Sequence, residues 1–93
     1  MTIIYEQENQ RSAAYDGTAL IGQCNYTLNA GTWSIEHTEV DKAYGGQGIA
    51  KQLVYCLIDA ARKNNVKILP IFSYAVKLFE KDPSLEDVLL HSG

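Results

Sequence analysis

Three glycines fall within four positions of the segment DKAYGGQGIAK, which spans residues 41 to 51. A glycine costs about 0.5–1 kcal/mol of extra backbone entropy when it is fixed in one conformation. Gly45, Gly46 and Gly48 therefore indicate unusual backbone dihedral angles, or the close approach of something to the peptide chain. Helical periodicity starts at Gln47, so the same segment also begins a helix.

The start of that helix lacks a capping residue, because Ser, Thr, Asp and Asn are all absent from positions 45 to 48. Its first N–H groups consequently have no acceptor on a neighbouring side chain. An external anion can accept from them, and the helix dipole favours negative charge at this end. Lys51 adds a positive charge one turn further along. Together these features predict a cradle for a phosphate or a pyrophosphate.

Two well-known nucleotide-binding motifs also contain clustered glycines, but neither fits this chain. A dinucleotide-binding GxGxxG loop is excluded because its third glycine would fall on Lys51, and a P-loop is excluded because no Gly-Lys-Ser/Thr follows. The preceding strand also ends a meander rather than opening a parallel sheet. A tight turn whose amides are bound by water stays open as an alternative.

Strand patterns and turn residues predict four antiparallel strands before the loop. Asp16-Gly17 and Asn29-Ala30-Gly31 are the turn signals between the later strands. The fourth strand is expected to place Trp33, Ile35, His37 and Glu39 on one face and the residues between them on the other. The predicted strands are Thr2 to Gln7, Arg11 to Tyr15, Thr18 to Leu28 and Thr32 to Val40.

A helix from Gln47 to Asn64 follows, with one broad apolar side that suits packing flat on a sheet. Val66 to Leu69 is expected to form a fifth strand parallel to the fourth. A second helix is predicted from Tyr74 to Lys81, and Ser84 is expected to cap a last short helix ending at Leu89. The pattern predicts an α+β (α/β) fold in a single domain over residues 1–93.

Composition narrows the class of protein. Of the 93 residues, 46% are hydrophobic, and the formal net charge is -3, which disfavours nonspecific nucleic-acid binding. Neither a signal peptide nor an apolar run long enough for a membrane span is recognised. Cys24 and Cys56 lack the spacing of a zinc site, so no metal is expected. A cytoplasmic protein with reduced cysteines is predicted.

The run GGQGIA at residues 45–50, followed by a long helix, resembles the acyl-CoA loop of the GNAT superfamily of N-acetyltransferases. That motif is Arg/Gln-x-x-Gly-x-Gly/Ala. Gly48 and Ala50 match its last two positions, whereas Gly45 replaces the Arg or Gln of the first. The chain from Ile35 to about Pro83 is similar to a subgroup of small GNAT-like acetyltransferases that lack the usual N-terminal helices.

The resemblance implies a GNAT-like fold with acetyl-CoA as co-substrate, bound between splayed fourth and fifth strands. The fourth-strand backbone from Thr38 through Glu39 to Val40 would pair with the pantetheine amides. The segment from Gly45 to Ala50, called the glycine loop below, would hold the pyrophosphate. The implied cofactor-binding residues are Thr38, Val40, Gly45, Gly46, Gln47, Gly48, Ile49, Ala50, Lys51 and Ser73.

The resemblance also implies that a primary amine attacks the thioester directly, so that the protein supplies positioning, an oxyanion donor and proton transfer. His37, Glu36 and Glu39 are the candidate bases, and Tyr74 is the candidate acid for the leaving thiolate. Ordinary solvated side chains, and a packing role for Tyr74, stay open as alternatives. Some relatives carry a cysteine where this chain has Phe72, which excludes a covalent cysteine mechanism at that position.

The sequence thus predicts an N-acetyltransferase acting on an amine of a small molecule or a protein. We expect a monomer or a weak dimer without nucleic-acid or membrane partners. A non-catalytic acetyl-CoA-binding or protein-interaction module is the alternative. It is favoured by the missing N-terminal helices, which usually help to build an acceptor pocket, and by Phe72 and Gly45.

Overall fold

The computed structural model describes residues 1–90, so the last three residues of the predicted domain, 91–93, lie outside the described residues. The described part contains a five-stranded sheet, two α-helices and three short 3-10 helices. The strands are β1 (Thr2–Glu6), β2 (Arg11–Asp16), β3 (Ala19–Asn29), β4 (Thr32–Val40) and β5 (Lys67–Pro70). The helices are α1 (Ile49–Lys63) and α2 (Ser73–Lys81), and the 3-10 helices are Gln7–Asn9, Lys42–Tyr44 and Pro83–Val88.

The strands lie in chain order, with β1 to β4 antiparallel and β5 parallel to β4. Tight turns explain the antiparallel pairs, and Gly17 and Gly31 have positive φ values of 61° and 82° in two of those turns. β5 is parallel because α1 crosses over between it and β4. The predicted α+β fold, with a strand meander, a central helix and a short parallel fifth strand, is confirmed.

Helix α1 packs its apolar side on the sheet and forms most of the core. Its contact with β3 is close: a Cβ added at Gly22 would lie 3.3 Å from Leu53 Cδ1. The buried hydroxyl of Ser12 on β2 donates to the Leu53 carbonyl at 2.7 Å. Burying a side chain as large as leucine contributes about 1.5–3 kcal/mol. The helix residues buried in this way are Ile49, Leu53, Val54, Leu57, Ile58, Ala60 and Ala61.

An aromatic stack closes the core at the end of the sheet far from the glycine loop. The Tyr26 and Trp33 rings stack with centroids 4.1 Å apart, and Tyr5 stacks on Trp33 at 5.7 Å. The hydroxyls of Tyr5 and Tyr26 are 2.7 Å apart and share a hydrogen bond. Stacking of this kind adds about 0.5–1.5 kcal/mol to area burial. This end of the domain is therefore held together by aromatic packing.

The prediction for the last helix needs correction. The element is a 3-10 helix, and its cap is Asp82, whose carboxylate accepts from the Ser84 N–H at 3.0 Å. Asp82 also accepts from the Tyr55 hydroxyl at 2.5 Å, which links this segment to α1. The Asp-Pro pair at 82–83 stops the preceding helix, and the same aspartate begins the next one. Proline at the first helical position fits a cap immediately before it.

The predicted faces of β4 are also wrong, because the strand contains a bulge. Asn25 of β3 pairs with His37, and the next residue, Tyr26, pairs with Ile35. Glu36 is therefore an extra residue that has no paired residue on β3. An extra residue reverses the alternation of side chains beyond it. His37 consequently lies on the face opposite Ile35.

Among residues 1–90, neither helix has the length and apolarity needed to cross a membrane.

Candidate active site

The glycine loop presents unpaired peptide N–H groups at the start of α1. Gly46 and Gly48 have φ values of 79° and 72°, and Gly48 precedes the helix in the left-handed conformation without any side-chain cap. Among residues 1–90, neither a backbone nor a side-chain acceptor takes the N–H groups of residues 46 to 51. A Cβ added at Gly46 or Gly48 would meet no atom within 4 Å. The loop is therefore open as well as unpaired, which is the geometry that an anion requires.

The segment before the loop is fixed by local hydrogen bonds. The Asp41 carboxylate accepts from the Ala43 N–H at 2.9 Å and caps the 3-10 helix Lys42–Tyr44. The Tyr44 hydroxyl donates to Asp16 at the end of β2 at 2.5 Å. At the other side of the loop, Ile49 is only 2% exposed and anchors the first turn of α1 in the core. The open amides are thus supported from both sides.

β4 and β5 separate at the level of the bulge. The Ile71 N–H donates to the Ile35 carbonyl at 3.1 Å, and within residues 1–90 no pairing of these strands continues past that point. The Asp41 N–H donates to the Ile21 carbonyl at 2.7 Å, so its backbone faces β3. Peptide groups along a strand point alternately to its two sides. Those of Val40 and Thr38 therefore face the gap between β4 and β5. These are two of the predicted cofactor-binding residues.

The side chains of Thr38 and Val40 point into the core. The Thr38 hydroxyl donates to the buried Cys24 sulfur at 3.1 Å, and Val40 Cγ2 lies 3.4 Å from a Cβ added at Gly22. Their side chains therefore hold the strand in place while their peptide groups stay accessible at its edge. Any contact to a ligand in the gap would come from the backbone.

His37 and Glu39 lie together on the outer face of the sheet. The His37 Nε2 and Glu39 Oε2 atoms are 3.5 Å apart, and the side chains are 61% and 56% exposed. Glu39 also accepts from the Gln23 amide at 2.5 Å. The hydrogen bond from Gln23, followed by that from His37, lowers the pKa of Glu39 below its ordinary value of 4.5. Glu39 is therefore ionised at neutral pH beside the imidazole.

Ser73 and Tyr74 begin α2, directly beyond the point where β5 leaves the sheet. Both are exposed, and the Tyr74 ring stacks on Phe72 with centroids 6.3 Å apart. α2 has no side-chain cap at this end, so its first N–H groups have no acceptor on a neighbouring side chain. The tyrosine is thus held by packing with its ring accessible, which is compatible with either a catalytic or a packing role.

Lys51 does not reach back over the glycines in this structure. Its Nζ lies 5.9 Å from the centre of the Tyr55 ring, one turn further along α1. The flexible lysine chain has several rotatable bonds, so the ammonium can turn toward an anion at the helix start. Gln47 and Ala50, the remaining predicted loop residues, are exposed and partly exposed.

The cysteines are unsuited to act as nucleophiles. Burial raises the pKa of the Cys24 thiol to about 11. Burial also raises the pKa of Cys56, which is partly exposed on α1. A thiol that holds its proton is a poor nucleophile at neutral pH. Neither cysteine is therefore suited to form a covalent intermediate.

Sequence reasoning missed Gln23, whose side chain joins Glu39 to Arg11. A glutamine in the middle of a strand carries no signal of its own. Only the register that places Gln23 opposite Glu39 makes it part of the site. A shallow pocket of about 220 Å³ next to this pair is lined by Leu20, Ile21, Gly22, Gln23, Glu39, Val40 and Asp41.

A mixed sheet that opens between its fourth and fifth strands, with bare amides at the start of the crossover helix, defines a GNAT-like acetyltransferase domain. The profile of the family described as GCN5-related N-acetyl-transferase matches residues 11–88. The chain belongs to this family, as the resemblance of its glycine loop implied. A comparison with curated protein sequences gave no match.

Solved structures share the same fold. A GCN5-like putative N-acetyltransferase from Staphylococcus aureus, determined by NMR, has a TM-score of 0.74 and 29% identity, over 99% of this chain and 90% of that one. The ribosomal-protein-S18-alanine N-acetyltransferase of Escherichia coli gives 0.65 and 18%, over 76% of this chain and 49% of that one. The ribosomal-protein-alanine N-acetyltransferase of Brucella melitensis gives 0.63 and 20%, over 89% and 62%.

Proposed function

We propose that this protein transfers the acetyl group of acetyl-CoA to a primary amine. The proposal is carried by the row of unpaired N–H groups from residue 46 to residue 51, next to the free edge of β4. Family membership supplies the class of reaction. The open glycine loop supplies a fitting receptor for a diphosphate, because donors and a helix dipole converge where no side chain intrudes.

In this proposal the loop from Gly45 to Ala50 holds the pyrophosphate through its backbone, with Lys51 and Ser73 as further polar contacts. Thr38 and Val40 bond the pantetheine arm through their peptide groups. Acetyl-CoA supplies an activated thioester when bound. The chain's own contribution is to fix that thioester in the gap, since holding two reactants in register lowers the entropic barrier.

The amine nitrogen bonds to the thioester carbonyl carbon, the carbon–sulfur bond breaks, and the sulfur leaves as a thiol. We assign the proton lost by the amine to His37, because imidazole accepts protons near neutral pH. Glu39, with its lowered pKa, serves as the ionised partner that orients the imidazole and attracts the ammonium form of the acceptor. Tyr74 is assigned the proton given to the departing sulfur.

Titration with acetyl-CoA, followed by backbone amide NMR, tests the site. We expect the amides of residues 38 to 51 to shift while those of the aromatic stack at the far end do not. A thiol-release assay with a panel of primary amines then tests turnover. Saturable binding without turnover on any amine would replace this proposal by an acetyl-CoA-binding module, and unmoved loop amides would reject the site itself.

The cellular location belongs to the same proposal. Cys24 and Cys56 are free thiols, which fits a reducing compartment such as the cytoplasm. Fractionation of cells that produce the protein would test this assignment.

A further inference from the structure

A continuous chain of hydrogen bonds crosses the outer face of the sheet and ends at Glu39. On β2, Arg11 donates through Nε to Glu6 of β1 at 2.6 Å and through Nη1 to Gln23 of β3 at 2.9 Å. Tyr15 donates its hydroxyl to the second Glu6 oxygen at 2.5 Å. The amide of Gln23 then donates to Glu39 of β4 at 2.5 Å. Four strands therefore contribute to the placement of one carboxylate.

The orientation of the Gln23 amide is set by its neighbours. Its Oε1 accepts from Arg11 at 2.9 Å and from the Asn25 side chain at 3.4 Å. With its oxygen turned toward two donors, the amide can present only its NH2 group to Glu39. That group engages Glu39 Oε1 and leaves Oε2 on the side of His37, 3.5 Å from Nε2. The Gln23 amide thus binds one oxygen of Glu39 and leaves the other for His37.

We infer that Gln23 is a positioning residue for acetyl transfer: it is locked by Arg11 and holds Glu39 so that one carboxylate oxygen faces His37. The inference rests on the proposed function, because it assigns a purpose to the His37–Glu39 pair. Exposed carboxylates on a strand ordinarily sample several rotamers. A fixed donor on the neighbouring strand removes that freedom, and preorganised partners of a base raise catalytic efficiency.

The neighbouring charged groups cannot take over the role of Gln23. Asp41 lines the same shallow pocket, and Glu36 lies on β4 beyond His37 and accepts from Thr27 at 3.2 Å. Both are negative, so they cannot replace the donor that Gln23 supplies. Arg11 is linked to Glu39 through Gln23.

Two variants whose side chains have a similar length to glutamine distinguish the loss of the hydrogen-bond donor from a change in side-chain shape. Gln23→Met removes the donor, and Gln23→Glu replaces it with a negative charge. The carboxyl carbon of Glu39, followed by NMR against pH in the ligand-free protein, is expected to titrate closer to 4.5 in Gln23→Met and higher still in Gln23→Glu. This readout does not depend on catalysis.

Steady-state kinetics provide the second readout. We expect kcat of Gln23→Met to fall about tenfold while the KM for acetyl-CoA stays unchanged, since the coenzyme is held elsewhere. In Gln23→Glu the acid limb of the kcat profile should move to higher pH, because an added negative charge favours the protonated form of a nearby base. Asn29→Ala, on the same strand and facing Ser34, is the control and should change neither readout.

Each outcome has a distinct meaning. A Glu39 titration in Gln23→Met that matches the wild type would show that the amide does not hold the carboxylate, and would overturn the inference. A shifted titration with unchanged kcat and pH profile would overturn the positioning role and leave the proposed function standing. Absence of turnover in the wild-type protein would reject the proposed function, and the catalytic role of Gln23 with it, whatever the titration shows.

Discussion

At the scale of single residues, Gly46 and Gly48 combine two properties that the rest of the loop lacks. Each has a positive φ, and neither would bring a Cβ within 4 Å of any other atom. Steric conflict inside the protein therefore does not explain why side chains are absent there. The backbone angle favours glycine, and the empty space above it is the place where a ligand would lie.

Replacing Gly48 by alanine separates these two properties. The left-handed angle costs a non-glycine residue about 1–2 kcal/mol, so Gly48→Ala should be less stable by that amount. The methyl group would also stand over the loop amides and weaken acetyl-CoA binding by roughly tenfold, the value of one charge-assisted hydrogen bond. Denaturant unfolding and calorimetric titration measure the two effects.

Gly31→Ala is the matched control for this change. Gly31 has a φ of 82° and equal free space, but it lies in the β3–β4 turn at the far end of the sheet. We expect a similar loss of stability and unchanged affinity. If both variants bind acetyl-CoA as the wild type does, the loop is not the binding site.

The thiols provide another prediction at this scale. The raised pKa of Cys24, about 11 against an ordinary 9.0, leaves about a hundredfold less thiolate at neutral pH than an exposed cysteine has. Iodoacetamide should therefore modify native Cys24 at least that much more slowly than the unfolded chain, with Cys56 reacting sooner. Mass spectrometry of timed samples would show the order, and rapid labelling of native Cys24 would contradict its burial.

At the scale of elements, the contact between α1 and the sheet depends on the absence of a side chain at Gly22. A Cβ there would lie 3.2 Å from the Glu39 carbonyl oxygen and 3.3 Å from Leu53 Cδ1. The first of these is backbone of a paired strand, which cannot retreat without disturbing the sheet. Gly22 also pairs with Val40, which belongs to the proposed site. A shift of the backbone at Gly22 would therefore also move that part of the site.

Gly22→Ala should therefore destabilise the fold by about 1–3 kcal/mol, the usual penalty for overpacking. Thr27→Val, on an exposed position of the same strand, should stay within about 0.5 kcal/mol of the wild type. Urea unfolding of the two variants provides the comparison. A Gly22→Ala protein as stable as Thr27→Val would mean that α1 can move away from the sheet without loss.

The C-terminal 3-10 helix offers a second prediction about elements. Asp82 caps this helix and also accepts from Tyr55 on α1, whereas Ser84 contributes its N–H and hydroxyl to the same carboxylate. Asp82→Ala should consequently lower the Tm more than Ser84→Ala, because it removes three hydrogen bonds rather than one. Thermal unfolding by circular dichroism decides this, and the reverse order would restore Ser84 as the cap.

Sequence patterns predict the elements well and their relative register poorly. Periodicity and turn residues are local, so they place β4 at its observed bounds and the start of α1 within two residues. They miss the bulge at Glu36 because it is a property of the pairing between β3 and β4. The contact of Gln23 with Glu39 is missed for the same reason. The open amides are predictable because a missing cap is visible in the chain itself.

At the scale of the whole molecule, acidic side chains with lowered pKa values link the elements. Glu6 joins β1 to β2 through Tyr15 and Arg11, and these bonds lower its pKa. Asp87 accepts from Arg62 of α1, which lowers the pKa of that carboxyl. A proton on either group must break these contacts. The folded protein therefore binds such protons less readily than the unfolded chain.

Stability should accordingly fall in acid. Because the folded pKa of Glu6 lies below 4.5, its contribution is complete above that pH and is lost as the pH drops through the folded value. Glu6→Gln should flatten the dependence of the unfolding free energy on pH below about 4.5, and Tyr15→Phe should give an intermediate slope. Denaturant melts at several pH values would test this, and parallel curves for all three proteins would contradict it.

The divergence of β4 from β5 has a consequence for how this domain can vary. A ligand in that gap would complete the sheet as a foreign strand, recognised by main-chain groups that every amino acid carries. Substitutions at positions 38 and 40 would then be constrained by the packing of the core behind them rather than by contacts with the ligand. Such a receptor would tolerate side-chain changes that preserve the packing of the core behind it.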